Sequence, residues 1–75
     1  MRTYLKSRNI YYQGRRTSVR LEPSVLDALD CICKAENITP AELVRRAMEG
    51  RDGARPVNGL REYPLEYYRR KAGMD

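Results

Sequence analysis

The chain has 75 residues, a net charge of +5, two cysteines and no histidine. A chain this short forms one domain at most, and it buries too little apolar surface to be comfortably stable without a crosslink, a metal or a partner subunit. The composition argues against an enzyme, because it offers no histidine, no Gly-rich phosphate loop and no metal cluster. No stretch approaches the roughly 18 apolar residues of a membrane span. Two thiols and no secretory segment predict a cytoplasmic protein.

Neither a metal nor a cofactor is expected from the cysteines. Cys31 and Cys33 are two residues apart, so on a helix they point to opposite sides and cannot form a disulfide bond with each other. Without histidine or further cysteine they do not make a zinc site. Help with stability is therefore expected from a partner subunit.

The positive charge is unevenly distributed. Residues 1–20 carry six basic and no acidic side chains (+6), residues 21–50 three and six (−3), and residues 51–75 six and four (+2). One interpretation is a solvated basic tail, and the other is a surface that binds a polyanion. The second is favoured, because the charge continues into a segment with the pattern of a strand.

The first predicted elements are an arm and a strand. Residues 1–16 form a basic, tyrosine-containing arm without a sustained period, and residues 17–21 alternate in the manner of a half-buried strand. The two sides of this strand carry Arg16, Ser18 and Arg20 on one face and Val19 and Leu21 on the other.

Two helices and a tail follow. Pro23 suits the first turn of an amphipathic helix over 23–36, and Thr39-Pro40-Ala41-Glu42 reads as a capping box that begins a helix over 40–49. Residues 51–75 are predicted to be a linker, with the glycine and proline content of residues 51–59, followed by a short C-terminal helix or tail. The predicted core residues are Val19, Leu21, Val25, Leu29, Ile32, Leu43, Val44 and Ala47.

A single strand leaves unpaired backbone groups and is not stable alone in water. The economical partner is a second copy of the chain. The predicted fold is therefore mainly α with one short strand, an intertwined homodimer in which a two-stranded antiparallel ribbon covers four helices. Such a ribbon fits the major groove of DNA, and its outer face would present Arg16, Ser18 and Arg20 to the bases.

At this point the segment from Thr17 to Gly50, with TSVRLEPSVLDALD and TPAELVRRAMEG, resembles the ribbon-helix-helix superfamily of the Arc, MetJ and CopG repressors. The resemblance implies a homodimer whose three outward strand residues contact bases. It also implies that Thr39 and the amide of Ala41 hold a backbone phosphate at a helix N-terminus. Further predicted phosphate contacts are Arg15, Arg45 and Arg46, although the last two could equally serve to solubilise their helix.

The predicted function is a transcriptional repressor that binds an inverted-repeat operator in double-stranded DNA and regulates its own operon. It would act as one dimer or as two dimers side by side, without a cofactor. Two alternatives stay open. One is an antitoxin, or another phage or plasmid interaction module, whose residues 51–75 bind a partner protein. The other is nonspecific binding of nucleic acid by the arm alone.

Overall fold

Two strands and three helices follow one another in the computed structural model, which describes residues 4–51 and 53–73. Residues 1–3 of the predicted arm, and residues 52, 74 and 75 of the predicted linker and tail, lie outside the described residues. None of the helices in the described ranges has the length and apolar character that crossing a membrane requires. The elements are β1 (Lys6–Tyr12), β2 (Arg15–Leu21), α1 (Pro23–Glu36), α2 (Pro40–Met48) and α3 (Pro56–Lys71).

The two strands form an antiparallel hairpin that closes with Tyr12 opposite Arg15. The two residues between them, Gln13 and Gly14, have φ angles of 53° and 75°. Positive φ at both central positions is the type I′ turn, whose twist matches that of the strands it connects. Glycine suits the second position because it has no Cβ to oppose a positive φ.

The hairpin corrects two predictions. The strand predicted over 17–21 begins at Arg15 and has a partner in its own chain, and the arm predicted over 1–16 contains that partner, β1. The missed signal is the position of Ile10 and Tyr12 on one side of β1, directly before a two-residue turn. The polar composition of β1 concealed it, because five of its seven residues are exposed.

The two central helices begin and end at local signals. Pro23 occupies the first turn of α1, and Asn37 ends this helix in the left-handed conformation with a φ of 54°. At the start of α2 the Thr39 hydroxyl accepts a hydrogen bond from the Glu42 amide at 3.1 Å. The helix ends one residue earlier than predicted, with Glu49 as its C-terminal cap.

The third helix begins within the predicted linker. In residues 51–59 the glycine and proline content indicates a linker, but Pro56 occupies the first turn of a 16-residue helix that continues through the predicted short C-terminal helix. Gly59 lies where α3 packs closely on α2. A Cβ at this position would come 2.6 Å from the Met48 sulfur and 3.0 Å from the carbonyl oxygen of Ala47. Glycine is therefore needed here for close packing and not for a flexible connection.

The core lies between the inner face of the hairpin and the three helices. The predicted core residue Val25 is only half-buried and packs at its edge, whereas Ile10 of β1 and Leu60 of α3 are buried. The hairpin and all three helices thus contribute residues to this core. The buried apolar residues among those described are Ile10, Val19, Leu21, Leu26, Leu29, Ile32, Leu43, Val44, Ala47, Met48 and Leu60.

Polar contacts connect β1 and α3 to the helix α1. In β1 the Arg8 guanidinium pairs with Asp30 of α1 at 2.7 Å. In α3 the Tyr67 hydroxyl donates a hydrogen bond to Glu36 at 2.7 Å. Exposed ion pairs contribute only about 0–1 kcal/mol each, so the Arg8 pair orients β1 more than it stabilises it.

Candidate nucleic-acid interface

The outer face of the hairpin is the surface turned away from the core. Side chains alternate between the two faces of a strand. Val19 and Leu21 of β2 are buried in the core, so Arg16, Ser18 and Arg20 point to the opposite, outer face. Arg16, Ser18 and Arg20 are exposed on this face. The structure therefore places the three predicted base-contacting residues on one surface of one strand.

The arginines of β2 differ from Arg8, Arg45 and Arg51 in their charge environment. Arg15, Arg16 and Arg20 make no ion pair within the described part of the chain, whereas Arg8, Arg45 and Arg51 each bind a carboxylate. No acidic residue occurs in residues 4–21. The positive field of the hairpin is thus directed toward solvent, which suits an anionic partner.

The second edge of β2 is open to another strand. Among the described residues β2 pairs with β1 alone. Because Tyr12 and Arg15 flank a two-residue turn, they form a hydrogen-bonded pair, and such pairs alternate along an antiparallel ladder. It follows that Arg16, Ser18 and Arg20 direct their backbone N–H and C=O groups away from β1.

The N-terminus of α2 presents two polar groups beyond the helix end. Pro40 has no N–H, and the amide of Glu42 is taken by Thr39, so the amide of Ala41 is the donor left in the first turn. The Thr39 hydroxyl accepts the Glu42 bond and keeps its own proton to donate. Both groups could bind one oxyanion, in the manner of helix N-termini.

Glu42 is neutralised within its own helix. Its carboxylate receives hydrogen bonds from Arg45 at 2.6 and 2.9 Å and from Arg46 at 3.0 Å. These guanidinium groups lower the pKa of Glu42 to about 2, although its partial burial opposes the shift. Glu42 is therefore ionised at any ordinary pH, and its charge is balanced by two arginines. This arrangement reduces the repulsion that Glu42 would otherwise exert on a phosphate at the helix end.

The two arginines of α2 occupy different surroundings. Arg45 and Ala41 line a cleft of about 500 Å³ between α2 and the tip of the hairpin, where Tyr11 lies on the opposite wall. Arg46 turns toward α1, where it approaches Glu36 at 3.6 Å in addition to its Glu42 bond. The structure thus brings Ala41 and Arg45 to the hairpin, and it does not bring Arg46 there.

Sequence reasoning missed a second row of side chains on the outer face. The strand register places Ser7 opposite Arg20, Asn9 opposite Ser18, and Tyr11 opposite Arg16. Cross-strand partners share one face of a sheet, so these three side chains of β1 lie beside those of β2. The signal that would have found them is the Gln13-Gly14 turn, because it fixes the register. The three residues of β1 are Ser7, Asn9 and Tyr11, all exposed.

Comparison with known proteins gives one match. A family model described as a ribbon-helix-helix domain matches residues 5–60, which run from the start of the hairpin into the first turns of α3. No curated protein and no solved structure matches the chain.

Proposed function

Because the chain belongs to the ribbon-helix-helix family, we propose that it is a dimeric, sequence-specific transcriptional repressor that reads the major groove of DNA with β2. Domains of this family generally bind DNA and dimerise. The observation that carries the proposal is the outer face of β2. Three exposed side chains, two of them arginines without an ion pair among the described residues, lie on a strand with an open edge.

Dimerisation would use that open edge. Two copies of β2 pair antiparallel about a twofold axis through Ser18, so that Arg16 of one subunit lies opposite Arg20 of the partner subunit. Because β1 is already paired on the other edge, the sheet of the dimer has four strands in the order β1-β2-β2-β1. The two-stranded ribbon expected from the sequence becomes the centre of this larger sheet.

Base recognition follows from the chemistry of the three outward side chains. An arginine can donate two hydrogen bonds to the O6 and N7 atoms of guanine, and serine can bond to several bases. Each good bidentate pair discriminates against the wrong base by about 1–3 kcal/mol. The twofold axis presents Arg16, Ser18 and Arg20 twice, so the operator is an inverted repeat with short half-sites.

Phosphate contacts supply affinity. Arg15 lies beside the hairpin turn, and Thr39, Ala41 and Arg45 lie around the N-terminus of α2, so we assign these residues to the DNA backbone. Arg46 is omitted from this set, because its contacts with Glu36 and Glu42 make it part of the packing between α1 and α2. Binding should be strongly salt-dependent, because each neutralised phosphate releases counterions.

Repression would act by occlusion at the promoter of the protein's own operon. The test is transcription in vitro from that promoter, with purified protein added across its binding range. Full-length transcript should fall as a footprint appears over an inverted repeat, and a matched template with that repeat scrambled should be unaffected. A footprint elsewhere, with no effect on this promoter, would contradict autoregulation while leaving sequence-specific binding intact.

A second candidate is an antitoxin, and the exposed surface of α3 supports it. Leu65 and Tyr68 are 67% and 45% exposed, one helical turn apart on a helix whose other side is docked on the domain. A partner protein would then bind this surface of an ordered helix and not a free tail. Co-expression with the product of an adjacent gene tests it. Protection from toxicity that survives the Leu65→Ser, Tyr68→Ala double variant would contradict this second function.

A further inference from the structure

The first strand of the hairpin has an outer face with a chemistry of its own. Ser7, Asn9 and Tyr11 point the same way as the side chains of β2, and all three are exposed. Each can donate or accept hydrogen bonds, and none carries a charge. The outer face of the hairpin therefore has a cationic row on β2 and a neutral, hydrogen-bonding row on β1.

The strand β1 lies between two parts of the proposed DNA-binding surface, which are β2 and the N-terminus of α2. On one side β1 pairs with β2, and on the other it packs against α2. Asn9, Tyr11, Pro40 and Ala41 contribute to the lining of one cavity, whose remaining lining is mostly core residues. The pairing with β2 and the packing on α2 thus place β1 between the base-reading side chains and the helix end that suits a phosphate.

The width of the dimer's sheet determines which part of the DNA β1 would contact. Neighbouring strands lie about 4.8 Å apart, so the two β1 strands of a four-stranded sheet are separated by roughly 14 Å. The major groove is about 12 Å wide. With the two β2 strands centred over the groove floor, the β1 strands therefore lie above its rims, where the sugar-phosphate backbones run.

We infer that β1 is a phosphate-binding strand, in which Ser7, Asn9 and Tyr11 hold the two DNA backbones that border the groove. This inference rests on the proposed function, because it needs the β2-paired dimer on DNA. Serine, asparagine and tyrosine all bind phosphate oxygens, and such contacts fix register without carrying sequence information. The hairpin thus divides recognition, with base readout on β2 and backbone positioning on β1.

Because the β1 contacts are neutral, their loss can be distinguished experimentally from the loss of a cationic contact. Only cationic side chains release counterions, so losing a neutral contact lowers affinity without changing the slope of log K against log salt. Asn9→Ala and Tyr11→Phe should each weaken binding by about three- to tenfold, and by the same factor on a selected and on a scrambled duplex. The salt slope and the preferred sequence should match those of the wild type.

Tyr12→Phe is the matched control for Tyr11→Phe. The two tyrosines are adjacent, but Tyr12 faces inward and its hydroxyl accepts a hydrogen bond from Gln13 at 3.4 Å. Its variant should bind DNA like the wild type. Circular dichroism of the full chain checks that each variant is folded, which is expected because the Tyr11 side chain is largely exposed.

Duplexes with single methylphosphonate substitutions locate the contact. At the phosphate held by Tyr11, the substitution should weaken the wild type and have no further effect on Tyr11→Phe. A change in preferred base for Asn9→Ala, or wild-type affinity for both variants, would overturn the inference alone. If the wild type shows no preference among duplexes, the proposed function fails instead.

Discussion

Arg15 and Arg20 carry the same charge on the same strand, but they stand on opposite faces of it. Arg20 belongs to the outward row with Ser18, whereas Arg15 is in phase with the buried Val19 and lies beside the turn. Arg20→Ala should lower the affinity for the selected site more than the affinity for scrambled DNA, by about 1–3 kcal/mol for each half-site, because a base contact is lost in both subunits. Competition binding with both duplexes measures the difference.

Arg15→Ala is the control for charge. It should weaken binding to both duplexes by the same factor and reduce the salt slope by about two, because the dimer loses one phosphate contact from each subunit. If Arg20→Ala behaves in the same way as Arg15→Ala, the outer face of β2 does not read bases.

The hydrogen bond from Tyr67 to Glu36 leads to a prediction about how the stability of the fold depends on pH. The hydrogen bond to Glu36, aided by desolvation, raises the pKa of Tyr67 to about 12. The unfolded chain has a tyrosine pKa of about 10. Because this pKa is higher in the folded state, the contribution of Tyr67 to the free energy of unfolding is complete below pH 10 and disappears as the pH approaches 12.

Tyr67→Phe should therefore lower Tm by a few degrees at neutral pH, and its Tm should converge with that of the wild type as the pH rises from 10 to 12. Tyr68→Phe is the control, because the Tyr68 hydroxyl makes no hydrogen bond within the described part of the chain. Thermal melts across this pH range measure the effect. A constant difference in Tm between wild type and Tyr67→Phe would contradict the assignment.

At the scale of elements, the packing of α3 on α2 depends on one glycine. Alanine normally stabilises a helix by up to about 1 kcal/mol relative to glycine. At Gly59 the added methyl would instead press on Met48 and on the Ala47 carbonyl. We expect Gly59→Ala to lower the free energy of unfolding by about 1–3 kcal/mol, the usual cost of overpacking.

Asn58→Ala is the matched control on the same turn of α3. Asn58 is exposed, so alanine there should keep or slightly raise the stability through its higher helix propensity. Urea unfolding of both variants gives the comparison. A Gly59→Ala protein as stable as Asn58→Ala would mean that the contact between α2 and α3 is loose.

The elements also show where sequence reasoning succeeds and where it does not. The starts of α1 and α2 are set by local chemistry, because Pro23 and the Thr39 cap act within a single turn. The strand β1 depends on pairing with β2, in which its first residue, Lys6, lies opposite Leu21, and its own composition is polar. The helix α3 contains Gly59 and Pro64, which usually mark a break. Its stability comes from tertiary contacts that no local pattern records.

In the candidate site, too, some features are predictable from the sequence and others depend on the fold. The outward direction of Arg16, Ser18 and Arg20 follows from a period of two and was predictable. The row on β1 needed the hairpin register. The difference between Arg45 and Arg46 needed the placement of Glu36, which lies on another helix. Facing directions are local properties, whereas ion-pair partners are set by the fold.

At the scale of the whole molecule, the open edge of β2 makes a prediction about assembly. Asn9 and Ser18 lie opposite each other, and the N–H groups of both point away from the hairpin ladder. Proline at either position therefore removes no hydrogen bond between β1 and β2. Only Ser18, however, lies on the edge that the proposed dimer uses.

Ser18→Pro should therefore yield a folded monomer, and Asn9→Pro should remain a dimer. Sedimentation equilibrium at several concentrations measures the mass of each, with circular dichroism as the check on folding. A dimeric Ser18→Pro protein would place the subunit contact elsewhere and remove the basis for an operator centred on β2.

In the proposed dimer, the outer face of β2 reads a DNA sequence twice about a twofold axis. The most direct measurement is selection of bound molecules from a library of random duplexes at near-physiological salt, followed by sequencing. We expect enrichment of one inverted repeat with short half-sites, and we expect this enrichment to disappear when the Arg16→Ala, Arg20→Ala double variant is used. A folded wild-type dimer that enriches no sequence would contradict it.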